Sequence, residues 1–262
     1  MPLDNHPIIR KIESIARLSD EEREVLRHLP VSIRDYERRQ EIVREGESPV
    51  HSCLLIEGFA SRFKLLEDGR RQILGLHVPG DIPDLQSLHL HRMDHHLATV
   101  SPCRLGFIRH HDLNEMNARN PRIAAILWRV TLIDAAIHRE WVVRVGQRSA
   151  RQRMAHFLCE MFLRLEAVGL AVNGRCVLPL TQADMADALA LTNVSVNRML
   201  VQLKKDGLIA LEGRLLQVLN WGGLMRSAHF DPGYLHLNPE RVISTLSVPR
   251  VHSGDAGAAA SR

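Results

Sequence analysis

The thirty residues from Leu180 to Ile209 constrain the fold more than any other part of this chain. Thr181 is placed to cap a helix, with Asp184 three residues on as a capping box requires. Met185, Ala188 and Leu189 then share one helical face. Ala190 and Leu191 break the helix, and Thr192 is a second N-cap. Val196, Met199, Leu200 and Leu203 form the buried stripe of a second helix. Its other face carries Asn193, Ser195, Asn197, Arg198 and Gln202, side chains that can hydrogen-bond base edges and phosphates. Caps and break fall at the spacing of a helix-turn-helix, which sets this segment apart from an ordinary surface hairpin of helices. Residues 208–219 follow with two apolar runs around Glu212-Gly213, a hairpin pattern that makes the unit a winged helix-turn-helix.

The rest of the chain reads as two modest domains within 262 residues. Ile8, Ile12, Ile15 and Leu18 recur at helical steps, and Ser19-Asp20 caps a second short helix. From about 32 to 108 the apolar runs are short and broken by Gly46, Glu57-Gly58, Asp68-Gly69, Pro79-Gly80-Asp81 and Ser101-Pro102. Strands are expected at 54–56, 60–66, 72–78, 97–100 and 103–108, as in a sandwich or roll. A short helix over 112–118 precedes Pro121, which suits a helix start. One long helix then runs to about Val145. Its residues Ile123, Ile126, Val130, Ile133, Ile137 and Trp141 recur at steps of three and four, close to a heptad seam for a homodimer. The same stripe could pack on the chain's own β-domain, and both packings could hold together, because Leu127, Leu132 and Val142 lie off the seam and widen the apolar surface. Residues 150–165 form a further amphipathic helix, and the Ser/Gly/Ala-rich end from about 247 is expected to be disordered.

The fold class is therefore α+β, with a jelly-roll-like N-terminal antiparallel β-roll, a long dimerisation helix and a C-terminal winged helix-turn-helix. The expected divisions are a β-roll domain with flanking helices over 1–118, the dimerisation helix over 119–146, the DNA-binding domain over 147–222 and a partly disordered extension over 223–262.

Charge permits nucleic acid as a partner without requiring it: 34 Lys and Arg stand against 30 Asp and Glu, a net charge of +4. Six arginines between 139 and 164 face only Glu140 and Glu160, and that segment could touch phosphates. There is no 18-residue apolar run and no signal-peptide pattern, so a cytoplasmic chain with no membrane partner is expected. The four cysteines (53, 103, 159, 176) are scattered, which disfavours disulfides and metal clusters and suits buried small hydrophobes.

Taken in order, these elements resemble the Crp/Fnr family of bacterial transcription regulators over residues 10–220. The resemblance rests on Ile56-Glu-Gly58, on 67–73 (Glu-Asp-Gly-Arg-Arg-Gln-Ile), on Val78-Pro-Gly-Asp81 and, most strongly, on 191–200. It implies a homodimer on a two-fold symmetric operator, a sensor domain that controls DNA binding, and RNA polymerase as a partner. Carried over, the base-reading positions fall on Asn193, Val194, Asn197 and Arg198. Thr192 and Ser195 match positions that hold phosphates, and the DNA-binding set is completed by Thr181, Gln182, Lys204, Lys205 and Arg214. Of the two arginines and a glutamate that read bases in several members, only Arg198 remains, so the operator should differ from the familiar consensus. Ala190 stands where a turn glycine is common.

The sensor half departs further from the family. Cyclic-nucleotide-binding members carry Gly-Glu and then Arg-Ser about ten residues on, whereas here no Arg-Ser follows Gly80 before Ala98 and Arg92 is the only cation of that stretch. A cyclic phosphate would lose its charge-assisted partner. The clustered N-terminal cysteines of the oxygen-sensing members are also absent before Cys53. No cofactor is expected and no motif names the effector, and the alternative is a regulator that responds to a cyclic nucleotide or a metal through an atypical pocket near residues 80–99. His89, His91, His95 and His96 leave three readings open: surface histidines, a nitrogen and oxygen metal site with His89 and His91 on one strand face, or a group titrating near neutral pH. An H-x-H pair in a β-roll is also similar to cupin metalloenzymes, but no cupin-like glutamate follows, and an enzyme would not need the recognition helix.

Overall fold

The computed structural model describes residues 6–238. Two short helices open the chain, α1 (Pro7–Glu13) and α2 (Asp20–Arg27). Ser19 and Glu22 close a capping box at the start of α2. The β-roll follows with β1 (Ser32–Tyr36), β2 (Glu41–Val43), β3 (His51–Glu57), β4 (Ala60–Leu65), β5 (Arg71–His77), β6 (His96–Thr99) and β7 (Cys103–Arg109). They form two antiparallel sheets in the orders β1-β7-β3 and β2-β6-β4-β5. Val43, Cys53, Leu55, Leu97, Cys103 and Leu105 are buried in one cluster of the roll. The edge strands β1 and β2 were not expected from the sequence. β1 is exposed along most of its length, so it carries no apolar alternation to announce it.

Gly58 shows why the turn between β3 and β4 takes a glycine. Its φ is +88°, and a Cβ there would sit 2.3 Å from the Pro102 carbonyl oxygen and 2.6 Å from Cys103 Sγ. Only glycine combines that backbone conformation with so close an approach.

α3 (His110–Arg119) leads into α4 (Pro121–Gln147) with Pro121 in its first turn. At 27 residues α4 is about 40 Å long. Its first half buries Ile123, Ile126 and Leu127 against Ile8, Ile9, Ile12 and Leu113. Its second half sends Ile133, Ile137 and Trp141 into the cluster that contains Phe157 and Phe162. Val130 is partly buried against that cluster. The six residues expected to pair two copies thus line the chain's own core, because α4 has a roll and helices packed along that face. The outward face carries a different seam at heptad steps: Ala125, Trp128, Leu132, Ala135, Arg139, Val142 and Gly146. Trp128, Leu132 and Val142 are 65%, 53% and 69% exposed.

α5 (Ala150–Ala167) starts on a Ser149–Gln152 capping box and is buried on nearly every side. Behind it lie β8 (Ala171–Val172), β9 (Arg175–Val177), α6 (Gln182–Leu189), α7 (Asn193–Lys205), β10 (Ile209–Glu212), β11 (Leu215–Val218) and α8 (Trp221–Ala228). The expected wing hairpin is β10–β11, and it belongs to a four-stranded sheet in the order β10-β11-β9-β8. The boundary expected at 222 falls inside α8, whose Trp221, Leu224 and Ala228 are buried. A 3₁₀ turn over Pro232–Leu235 follows, with Leu235 buried and the Tyr234 hydroxyl donating to Glu160 at 2.9 Å. The Ser/Gly/Ala-rich end lies outside the described residues.

Candidate nucleic-acid interface and sensor cavity

The helix-turn-helix is built by its caps. Thr181 Oγ1 accepts from the Asp184 amide at 3.1 Å, and Asp184 Oδ2 accepts from the Thr181 amide at 2.9 Å. Thr192 Oγ1 accepts from the Ser195 amide at 3.2 Å and donates to Ser195 Oγ at 3.0 Å. Between the two helices Ala190 takes the left-handed conformation, φ +51° and ψ +49°. A chain with a Cβ pays for that conformation, which is why glycine is common there. Val196, Met199, Leu200 and Leu203 seat α7 in the core.

What remains outward is a single face. Asn193, Val194, Asn197 and Arg198 are exposed, Val194 by 79%, and Gln182 stands exposed at the start of α6. Val201 is exposed seven residues after Val194, so it extends the same face by two helical turns. Nothing in the sequence marks Val201 as outward, since a valine at that spacing suits a core position equally. Lys205 and Arg214 are exposed. Lys204 Nζ donates to the Leu211 carbonyl at 2.9 Å and so ties α7 to the wing.

The arginine run from 139 to 164 does not make a basic face. Arg144 is fully buried over the Trp141 ring, 4.2 Å from its centroid. Arg148 pairs with Glu140, Arg151 with Asp206 at 2.6 Å, and Arg164 with Asp81 at 3.0 Å. Arg153 donates to the Arg148 carbonyl at 2.8 Å. Five of the six cations are thus used inside the chain, and sequence proximity did not reveal the partners.

A cavity of about 370 Å³ opens between the roll and α4. Arg62, His77, Asp81 and His95 line it from the roll, and Val130, Asp134 and His138 from α4, with Lys11, Arg164 and Leu235 closing it. Its charges are already matched. Arg62 donates to Asp134 and, at 2.6 Å, to the Pro83 carbonyl. Asp81 takes Lys11 at 2.7 Å and Arg164 at 3.0 Å. Burial would raise the Asp81 carboxyl, but Lys11, His77 and Arg164 hold it well below the usual carboxylate range. Burial lowers His77 to about 4, so it is neutral at pH 7. Arg92 lies outside the cavity and donates to the Gly46 carbonyl at 3.2 Å.

The four histidines do not converge. His89 and His91 are exposed on an irregular segment, not on one strand face. His95 Nδ1 is 2.6 Å from Asp94, and His96 Nδ1 is 3.0 Å from Glu41. Among the described residues no three His, Cys, Asp or Glu side chains gather as a metal site. All four cysteines are buried free thiols.

A β-roll, a long helix with an outward apolar seam and a winged helix-turn-helix with a free polar face are the architecture of a DNA-binding transcription regulator. Two family models match the chain, a Crp-like helix-turn-helix domain over residues 152–227 and a cyclic nucleotide-binding domain over 33–120. The transcriptional activator protein FnrL of Cereibacter sphaeroides is 31% identical over 227 residues, which covers 85% of this chain and 90% of that relative. The nitrogen fixation regulation protein FixK of Azorhizobium caulinodans is 27% identical over 176 residues, 67% of this chain and 70% of that protein. The solved structure of FixK2 from Bradyrhizobium japonicum superposes with a TM-score of 0.69 at 28% identity, over 76% of this chain and 97% of that one. The chain belongs to the Crp/Fnr family of transcription regulators. Among the described residues no helix is long and apolar enough to cross a membrane.

Proposed function

We propose that this regulator binds a two-fold symmetric operator as a homodimer, in the cytoplasm and alongside RNA polymerase. The observation that carries this reading is the outward face of α7, capped, rigidly seated and free of partners of its own chain at Val194, Asn197 and Arg198. In the major groove Arg198 reads guanine O6 and N7, Asn193 and Asn197 read neighbouring base edges, and Val194 meets a thymine methyl. Thr181, Gln182, Thr192 and Ser195 lie at helix starts and take phosphates, as do Lys204, Lys205 and Arg214. Two half-sites then lie about 34 Å apart. The pairing surface is the outward seam of Trp128, Leu132 and Val142, since the inner stripe is occupied. The divisions at 118 and 146 follow the same roles, with the DNA-binding unit extended through α8.

The sensor works without cyclic AMP in this reading. Both guanidinium groups that line the cavity, Arg62 and Arg164, are committed to carboxylates, and Arg92 is outside it. A second reading is favoured by the cavity itself, whose apolar and polar lining leaves room for a cyclic nucleotide or a metal ion held in an atypical pocket.

The test is selection of bound sequences from a random duplex pool with purified protein, in chelator and at fixed salt. A two-fold symmetric motif is expected. Enrichment only after cyclic nucleotide or zinc is added would move the conclusion to the second reading, and thermal stabilisation by that compound would confirm the move. Failure under all of these conditions would overturn the operator.

A further inference from the structure

The first helix of the helix-turn-helix carries the wrong charge for its task. Across 181–205 the carboxylates of Asp184 and Asp187 stand against only Arg198, Lys204 and Lys205. Both carboxylates lie on α6, whose start approaches phosphate in the reading above. Each is covered by a cation from the other domain, more than a hundred residues away. Arg38, in the turn between β1 and β2, places Nη2 2.8 Å from Asp184 Oδ2. Arg71, the first residue of β5, places Nη2 3.0 Å from Asp184 Oδ1 and 2.8 Å from Asp187 Oδ2, and its Nε donates to Asp187 at 2.9 Å. The next residue, Gln72, donates to the Asp187 carbonyl at 2.7 Å. The Phe63 ring lies under the Arg71 guanidinium at 5.5 Å. The Asp184 side chain is only 3% exposed and both arginines are largely covered, so this is a packed contact and not a pair of waving surface charges.

We propose that Arg38 and Arg71 of the sensor domain are positioning residues for DNA binding, which neutralise Asp184 and Asp187 and hold α6 in the pose from which α7 reads the groove. The inference rests on the DNA-binding reading. Charge alone gives it a direction. Two carboxylates left uncovered on a helix facing phosphates repel the duplex over a distance of about 8–10 Å at working salt. Two fork-shaped guanidiniums remove that repulsion and fix the helix orientation at the same time. The contact also gives a route from sensor to DNA: a movement of the β4–β5 hairpin is felt at α6 without passing through α4.

The experiment uses the full chain, a 40-base-pair duplex carrying the selected motif, and a random duplex of the same length. Binding is measured by fluorescence anisotropy at two salt concentrations. Arg71→Gln is compared with Asp187→Asn and with the double variant, and Arg38→Gln serves as a second, independent perturbation. Far-ultraviolet circular dichroism checks that each is folded. The expected result is a loss of at least tenfold in affinity for Arg71→Gln and for Arg38→Gln. Asp187→Asn should stay within threefold of the parent, and adding it to Arg71→Gln should restore affinity to within threefold. A purely structural role would not be rescued by removing the second charge. Wild-type affinity in both arginine variants would overturn the proposal, and tighter binding would show a contact that inhibits. A loss that Asp187→Asn does not rescue, with a salt slope lower by about one, would make Arg71 a direct phosphate ligand instead. No binding of the parent chain to either duplex would sink the DNA-binding reading and the inference with it.

Discussion

Replacing adjacent residues on α4 with aspartate separates the two faces of that helix. Leu132 points outward and is 53% exposed, whereas Ile133 is 8% exposed in the core of the single chain. Full burial of a leucine is worth about 1.5–3 kcal/mol, so covering the exposed half contributes about 1–1.5 kcal/mol per copy. A two-fold interface counts it twice, about 2–3 kcal/mol. At about 1.4 kcal/mol per decade, Leu132→Asp should weaken the proposed dimer roughly 30- to 150-fold, and two carboxylates meeting across the axis add to that. The folded chain should hardly notice, since surface changes stay within about 0.5 kcal/mol. Ile133→Asp instead places an unpaired charge in the core and should cost about 4–5 kcal/mol or more, a large part of the roughly 5–15 kcal/mol that holds a domain together. Sedimentation velocity over a dilution series reads the association, and thermal unfolding by circular dichroism reads the fold. A Leu132→Asp chain with the parent's dissociation constant would refute the outward seam. An Ile133→Asp chain that stays folded and turns monomeric would restore the inner stripe as the interface.

Arg198→Ala should cost about 1–3 kcal/mol of operator binding and relax preference at one base pair per half-site, read by repeating the selection with the variant. Ala190→Gly should relieve a left-handed alanine, φ +51°. Net of glycine's entropy the gain is up to about 1 kcal/mol, seen as a thermal midpoint higher by about 2–4 °C. Asp84 accepts the Cys53 amide at 2.7 Å, and burial raises its pKa from 3.8 to about 6. Its folded pKa lies above the unfolded one, so its contribution is full below about pH 4 and is lost as pH rises to 6. Asp84→Asn keeps the acceptor without the charge. At pH 7.5 it should be the more stable protein by up to about 3 kcal/mol, and the gap should close below about pH 4. His77, lowered to about 4 from 6.5, works in the opposite sense over an overlapping window, so the parent's stability should vary less with pH there than the variant's. Urea titrations at several pH values measure both effects.

The winged helix-turn-helix was legible because its signals are local. A cap and its partner stand three residues apart, an apolar stripe recurs every three or four, and a hairpin announces itself by its turn, so Thr181, Asp184, Thr192 and the core of α7 could be placed from neighbours alone. The roll's alternation was legible for the half-buried strands and not for the exposed edge strand β1. Periodicity marked α4 as a two-faced helix but could not say which neighbour each face meets. Ile133 and Leu132 are both apolar and adjacent, and only packing assigns one to the core and the other to the surface. The fate of the charges is likewise a property of the tertiary structure, because an ion pair depends on distance in space. Arg144 and Arg164 turned inward to partners already in the fold, while Arg38 and Arg71 reached across to Asp184 and Asp187. By itself the sequence determined the helices and wing of the winged helix-turn-helix and the polar outward face of α7. Packing alone decided which face of α4 stays free, and which sensor residues touch the reading unit, since both depend on surfaces brought together from distant parts of the chain.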